Sequence, residues 1–477
     1  MKETIRKNKT DSSIIAKAGL WFTVCNFLFK GMAFLTAPIF TRLLSKKELG
    51  EFSNYSTIIW IALAITSLDL STSIIRSKIE HEKDIDSYVW SILSFSSIFT
   101  AVIYLFCILN MKFVSGLLNV EAKYIHVMFF YCLFSPAYSM LITKHRAFYK
   151  YKTFVLLTAI VTVSSTLLSI ILVLKLDDKL WGRSLGQYLP SILMGVIIFI
   201  YIAVNGKKIK LKYWKYALII CVPLVPHVLS LNLLSVSDKL VLTRISGPEI
   251  TAIYSVASNC YSIVTVMMNS MNSAWTPWLF ENLNLKNYNE ISKISKKYII
   301  FFTICSFFVM LIGPELILFF GGERYKEAVY CLNPLICSCV IQFIYLFYVN
   351  VEFYTKKTIG VSIATGISAL INIILNIIFI KMFKGIGYIV ASYTTLVGYT
   401  ILLLLHYYIT KLLKMNHVFD NKFFMKLSII TILLSFAVKL LYGYIVLRYS
   451  VILIYSIILI YIMYSEKSEI IGILRKR

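Results

Sequence analysis

The sequence predicts an all-α, polytopic membrane protein, and three observations predict it. The chain is 58% hydrophobic and only 15% charged, with a mean hydropathy of +0.77. Soluble domains carry roughly 25% charged and about 45–50% apolar residues. The apolar residues are gathered into long runs, each near the roughly 20 residues that an α-helix needs to cross a hydrocarbon core. The segments between these runs are too short to hold a folded domain, so any function has to be built from the helices themselves.

By that length the runs place about fourteen spans, over 14–41, 53–75, 87–110, 124–142, 154–174, 183–204, 216–243, 251–274, 298–320, 327–351, 359–380, 385–409, 423–443 and 449–465. The basic, polar start MKETIRKNKTDSS leads into an apolar stretch too long for a signal-peptide core. No small-x-small cleavage site precedes Arg42, so this stretch reads as a retained first helix. Pro223 and Pro226 fall in the seventh span, where they predict a kink and freed carbonyls. The longest connection, around 275–297, reads as a short amphipathic or irregular segment.

An even number of spans puts both termini on one side. With the N-terminus inside, the inner segments carry nearly twice the Lys and Arg of the outer loops. The loops KHRAFYKYK (144–152) and KKIKLKYWK (207–215) are the clearest inner anchors. This bias predicts a multi-pass protein of the cytoplasmic membrane with both termini cytoplasmic.

The formal charge of +25 comes from 48 Lys and Arg against 23 Asp and Glu. In a soluble protein it would point to nucleic acid. Here the basic clusters lie between apolar runs, so anionic lipid headgroups are the expected partner and no nucleic acid is. Of the nine cysteines, Cys25, Cys107, Cys221 and Cys305 stand singly in apolar stretches, and Cys337 and Cys339 lack CxxC spacing. They read as small buried residues, with no metal, disulfide or catalytic role.

A short repeat organises the chain. TRLLSKKELGEFS (41–53) and TRISGPEITAIYS (243–255) each open Thr-Arg, close aromatic-Ser and lie between the first and second span of a six-span block. The offset is 202 residues. Six spans separate the copies, so the repeat is parallel, the plan of two six-helix bundles with a site between them. The expected parts are residues 1–206 and 207–410 as the two bundles, and 411–477 as two additional helices and a tail.

Charged groups inside spans are costly and normally face a cavity or a partner. Lys30 lies mid-span with Asn26 one turn before it, and the repeat offset carries Lys30 onto Asn232. The helix of Asn232 also bears His227, Asp238 and Lys239; His227 and Asp238 are close to three turns apart and share a face. These six residues are the expected cavity set, with internal ion pairing or helix-to-helix hydrogen bonding as the plainer alternative. Asp69 and Arg76 share a face at the inner end of the second span, as a gate, an ion-coupling pair or interfacial anchors. Arg42 and Arg244 occupy equivalent outer ends, where anchoring is the default. Asn259, Asn269 and Asn272 fit cavity lining and helix adhesion equally.

APIFTRLLSKKELGEFS (37–53) followed by SLDLS (67–71) resembles the start of Wzx-type polysaccharide flippases. These belong to the multidrug/oligosaccharidyl-lipid/polysaccharide exporter superfamily. The resemblance continues through SDKLVLTRISGPEITAIYSVA (237–257), FFGGERYKEAV (319–329), TIGVSIATGISALINIILNIIF (358–379) and KGIGYIVAS (384–392). It implies a MATE-like pair of bundles working by alternating access. The implied substrate is a polyprenyl-diphosphate-linked oligosaccharide repeat unit, of the kind used for O-antigen or capsule, handed on to polymerase machinery. It also implies a cationic cavity, which Lys30 and Arg76 fit, and no cofactor. Coupling to H⁺ or Na⁺ is left open, with Asp69, His227 and Asp238 as candidate ion groups. A multidrug exporter of the same superfamily, a lipid II-type flippase for a cell-wall precursor and, more remotely, a membrane polysaccharide polymerase are the alternatives; the missing loop with acidic or Arg catalytic groups argues against an enzyme.

Overall fold

The computed structural model describes residues 32, 34, 36–148, 150–355, 357 and 359–465, with side chains to 457. Lys30, Asn26, Cys25 and most of the first expected span lie outside the described residues. What is described is helical, with no strand. The helices are α1 (Lys46–Ser67), α2 (Ser73–Glu80), α3 (Ile85–Leu109), α4 (Met111–Leu118), α5 (Ala122–Ala147), α6 (Tyr151–Lys175), α7 (Lys179–Gly206), α8 (Leu211–Cys221) and α9 (Val225–Ser246). They continue with α10 (Pro248–Asn284), α11 (Tyr288–Leu311), α12 (Gly313–Gly321), α13 (Val329–Tyr354), α14 (Ile359–Met382), α15 (Gly387–Leu412), α16 (Asn421–Leu441) and α17 (Ile445–Ser465).

Among the described residues, 11 helices are long and apolar enough to span a membrane, or up to 12 when a bent pair counts as one span. The expected fourteen also included the first span, which is largely undescribed, and the last, α17, whose side chains are described only to 457. The ninth, expected over 298–320, is α11 followed by α12, because Gly313 and Pro314 interrupt the helix at Ile312. The segment at 275–297, expected to be amphipathic or irregular, is almost wholly helical. Helix α10 runs unbroken through Pro277 to Asn284, and α11 starts at Tyr288. Polar residues such as Asn282 and Asn287 disguised this continuation, and they bond to one another and to the Trp278 carbonyl.

The two copies of the repeat fold alike. Ser45 caps α1 through a capping box: its hydroxyl accepts the Glu48 N–H at 3.2 Å, and the Glu48 carboxylate accepts the Ser45 N–H at 2.7 Å. In the second copy Gly247, at φ +92°, precedes Pro248 as the first residue of α10. Lys46 and Pro248 are 202 residues apart, so both copies start their helix at the same repeat position.

Contacts divide the chain into two compact units, Met1–Ala252 and Ile253–Arg477. This packing boundary differs from the repeat boundary at 206/207, because α9 packs extensively on α1. In the first unit α7 packs against α6, α5 and α3. At Gly186 a Cβ would come within 2.2 Å of the Ser169 backbone, so α6 and α7 cross there backbone to backbone. Tyr55, Tyr124, Tyr131 and Tyr188 form edge-on aromatic contacts in its core. The basic loops at 144–152 and 207–215 are partly neutralised: Lys144 pairs with Asp86, and Lys210 with Asp84.

In the second unit α13 is the central helix, with 89% of its apolar window buried, against 11% for α6 on the first unit's periphery. It packs on α11, α15 and α16. Helix α17 is tied back by Arg448, which makes a two-pronged bond to Glu315 at 2.6 and 2.9 Å. The eight described cysteines are free, and all but Cys305 are buried.

Candidate functional site

The second span does not run straight. It breaks between α1 and α2 with a bend of 54°, where Leu68 and Asp69 both take left-handed backbone conformations at φ 48° and 47°. A non-glycine residue pays about 1–2 kcal/mol for that region, less for Asp, whose side chain can bond locally. Asp69 does so. Its carboxylate accepts the Thr72 hydroxyl at 2.7 Å and, more weakly, the Ser71 hydroxyl at 3.4 Å. The break removes the straight-helix face that was expected to join Asp69 to Arg76. Arg76 is exposed and bonds Glu80 at 3.0 Å, one turn along α2.

The break opens a cavity of about 190 Å³ within the first unit. Trp60, Ser67, Asp69 and Ser71 line it from α1 and the break, Ser135 and Ser139 from α5, and Val225, Val228 and Asn232 from α9. Pro136, inside α5, also faces it. Helix α9 itself begins after a short 3-10 turn over Val222–Leu224, so Pro223 and Pro226 interrupt the seventh span as expected. Broken helices put unpaired backbone and small hydroxyls at membrane depth, which is tolerated where they line a cavity. Among the described lining residues the charged one is Asp69. Serine hydroxyls, an amide, a carboxylate and an indole can exchange hydrogen bonds and stacking with a polar guest.

Two of the expected site residues, Asp69 and Asn232, therefore meet in one cavity. His227 is half-buried on α9, and Asp238 is fully buried on the same helix, three turns on. Lys239 is half-buried, and its carbonyl accepts the Thr243 hydroxyl. Arg42 and Arg244 are exposed and donate to the carbonyls of Pro38 and Leu117. Asn272 meets the Asn350 amide at 2.9 Å as a helix-to-helix contact in the second unit.

A second cavity, of about 260 Å³, lies where the two repeat segments meet. Lys47 and Glu51 from the first copy and Thr243 and Pro248 from the second line it, with Asn54, Tyr55, Glu121 and Tyr124. Sequence reading missed the aromatic and serine lining, and it missed Glu352 and His406, a buried pair in the second unit. Glu352 lies just past the end of the span expected over 327–351 and His406 near the end of that over 385–409; the signal that could have found both is one carboxylate and one imidazole near corresponding ends of two apolar runs with one span between them.

A family model described as polysaccharide biosynthesis protein matches residues 15–283, and a second, MatE, matches 223–378. An uncharacterized membrane protein of Haemophilus influenzae is 23% identical over 404 residues, spanning 81% of this chain and 95% of that protein. Among solved structures, the lipid II flippase MurJ in an inward closed conformation superposes with a TM-score of 0.70 at 17% identity, covering 94% of this chain and 100% of that one. An inward-facing multidrug resistance MATE family transporter of the MOP superfamily gives 0.59 at 13% identity, covering 84% and 98%. The chain thus has the all-α, MATE-like architecture that its sequence predicts.

Proposed function

We propose that this chain, which belongs to the polysaccharide biosynthesis protein family, is a flippase that moves a polyprenyl-diphosphate-linked oligosaccharide repeat unit from the cytoplasmic to the outer leaflet. The observation that carries the reading is a polar cavity at a broken transmembrane helix, lined by Asp69, Asn232 and a cluster of serines, in a chain with no sizeable extramembrane domain among its described residues. The sugar headgroup and diphosphate cannot cross hydrocarbon bare, because their hydrogen bonds to water would be lost unreplaced. A hydrated cleft open alternately to each side replaces that water while the polyprenyl tail stays in lipid.

In this reading the six-helix repeats 1–206 and 207–410 work the cycle in the cytoplasmic membrane, with both termini cytoplasmic. Lys30, Arg76 and Lys239 supply attraction for the diphosphate. An inside-negative potential then favours outward movement of anionic charge by roughly 2.3 kcal/mol per charge per 100 mV. Polymerase machinery receives the flipped unit. The test is to delete the gene and fractionate lipid-linked oligosaccharides. The expected outcome is lost surface polysaccharide, with single lipid-linked units shielded from an external sugar-oxidising probe; units accumulating on the outer face would refute translocation.

Asp69 as the charged group of the described lining favours one other reading, an exporter of cationic compounds. Intact surface polysaccharide with raised drug sensitivity in the deletion strain would select it.

A further inference from the structure

Helices α13 and α15 pack closely, and near the same ends of both lies a buried acid–base pair. Glu352 Oε1 and His406 Nδ1 are 2.8 Å apart, and both side chains are at most 1% exposed. Tyr345, two turns before Glu352, stacks on the imidazole at 5.4 Å and 22°. Two polar atoms of the pair, Glu352 Oε2 and His406 Nε2, have no protein partner. A purely structural pair in a dry core would be expected to satisfy all four of its polar atoms. Half of this one's hydrogen-bonding capacity is idle.

We infer that Glu352 and His406 form a proton-binding site through which the chain couples its cycle to H⁺. The inference rests on the transporter reading given above. With one proton between Oε1 and Nδ1 and a hydrogen on Nε2, the pair is neutral overall. Adding a second proton leaves a buried net positive charge, and removing the first leaves a net negative one; both are penalised while the helices stay closed. Proton exchange therefore requires water at Oε2 or Nε2, and so requires the ends of α13 and α15 to part. The bound H⁺ forms an O–H or N–H bond, and no electrons move.

Titratable and charged groups also lie on the elements around the pair. Besides Tyr345, Tyr348 lies one turn before Glu352 and Tyr407 next to His406, their ring centres 6.1 Å apart, and the Tyr348 hydroxyl donates to Asn421. Asp420, before α16, is engaged by Lys296 of α11 at 2.6 Å. Lys293 and Lys297 share α11 with it, and Lys422 and Lys426 lie on α16. Lys411 lies on α15 beyond His406, and Lys357 precedes α14, whose first three turns carry no titratable group. On the α10 side, Glu281 is exposed. At the opposite ends of α13 and α15, Glu327 engages Tyr388.

The experiment is an infrared difference titration of the purified full-length protein in lipid, stepped from pH 8 to pH 5, together with a count of protons taken up. The expected result is a carboxyl and an imidazole signal that Glu352→Gln and His406→Asn each remove, with uptake lower by about one proton per chain. The shape-matched double variant Glu352→Leu/His406→Leu keeps the test valid if a single variant misfolds, since apolar replacement of a whole buried pair is commonly tolerated. Identical spectra for wild type and Glu352→Gln overturn the site. A signal that depends on Na⁺ rather than choline in the buffer overturns the assignment to H⁺. In cells, Glu352→Gln at normal abundance should lower surface polysaccharide at least tenfold; full display despite the lost signal overturns the coupling. Because the titration needs no substrate, a silent pair would leave the flippase reading standing, and a failed leaflet assay would leave the titration interpretable.

Discussion

Gly50 and Pro248, from the two copies of the internal repeat, meet so closely that a Cβ on Gly50 would lie 1.7 Å from the Pro248 carbonyl oxygen. The first turns of α1 and α10 therefore touch through backbone, and the absence of a side chain at Gly50 is what permits it. Gly50→Ala is expected to cost on the order of 1–3 kcal/mol, the usual penalty for overpacking. Because the obstacle is a carbonyl, Pro248→Ala leaves the clash in place. Thermal melts of the purified variants check this, and an unchanged midpoint for Gly50→Ala would refute the contact.

Asp69 combines a left-handed backbone with two side-chain hydrogen bonds. Asn tolerates that conformation and keeps the acceptor, so Asp69→Asn should change stability by no more than about 0.5 kcal/mol. Asp69→Ala loses both advantages and should cost about 1–3 kcal/mol. The stable Asn variant then isolates the charge. Full polysaccharide export by Asp69→Asn would show that the flippase cycle does not use this carboxylate.

Arg183 places its guanidinium 3.7 Å from the ring centre of Phe40 and 4.4 Å from that of Phe52, and donates to Ser169 and Gln187. A planar cation stacked between rings is poorly replaced by an ammonium. Arg183→Lys should lower stability by about 1–2 kcal/mol, the scale of a desolvated cation–π contact. A midpoint equal to wild type would count against the stack.

Asp420 caps α16 by accepting the Phe423 N–H at 3.0 Å, and it accepts the Lys296 ammonium. The Lys296 bond first, and the Phe423 N–H second, hold its carboxyl below the ordinary value. The unfolded chain thus binds this proton more readily than the folded one. The contribution is complete above the unfolded carboxylate value of about 4 and is lost as pH falls through the lower folded value. Asp420→Ala should cost about 1 kcal/mol at neutral pH, a typical N-cap loss. Melting midpoints of wild type and Asp420→Ala should converge as the pH falls below the unfolded carboxylate value of about 4; a constant gap would contradict the assignment.

Much of the architecture is legible without coordinates. Backbone groups in hydrocarbon have no water to bond, so a long apolar run can only be a helix, and length with composition suffices to find it. The same local reasoning located the Pro223–Pro226 interruption and the internal repeat, although it began the two spans that follow the repeat segments at 53 and 251, later than the helix starts at Lys46 and Pro248. Asp69 and Asn232 stood out because polar residues in apolar runs are conspicuous. What the sequence left undetermined depends on which neighbour a residue meets. The break at Leu68–Asp69 carries no proline or glycine to announce it, and it detached Arg76 from Asp69 by redirecting the helix. Glu352 and His406 are 54 residues apart and become a pair only because α13 packs on α15. Whether a membrane carboxylate is an anchor, a cavity wall or half of a buried pair is set by the helix that faces it, and periodicity along one chain segment does not encode that partner.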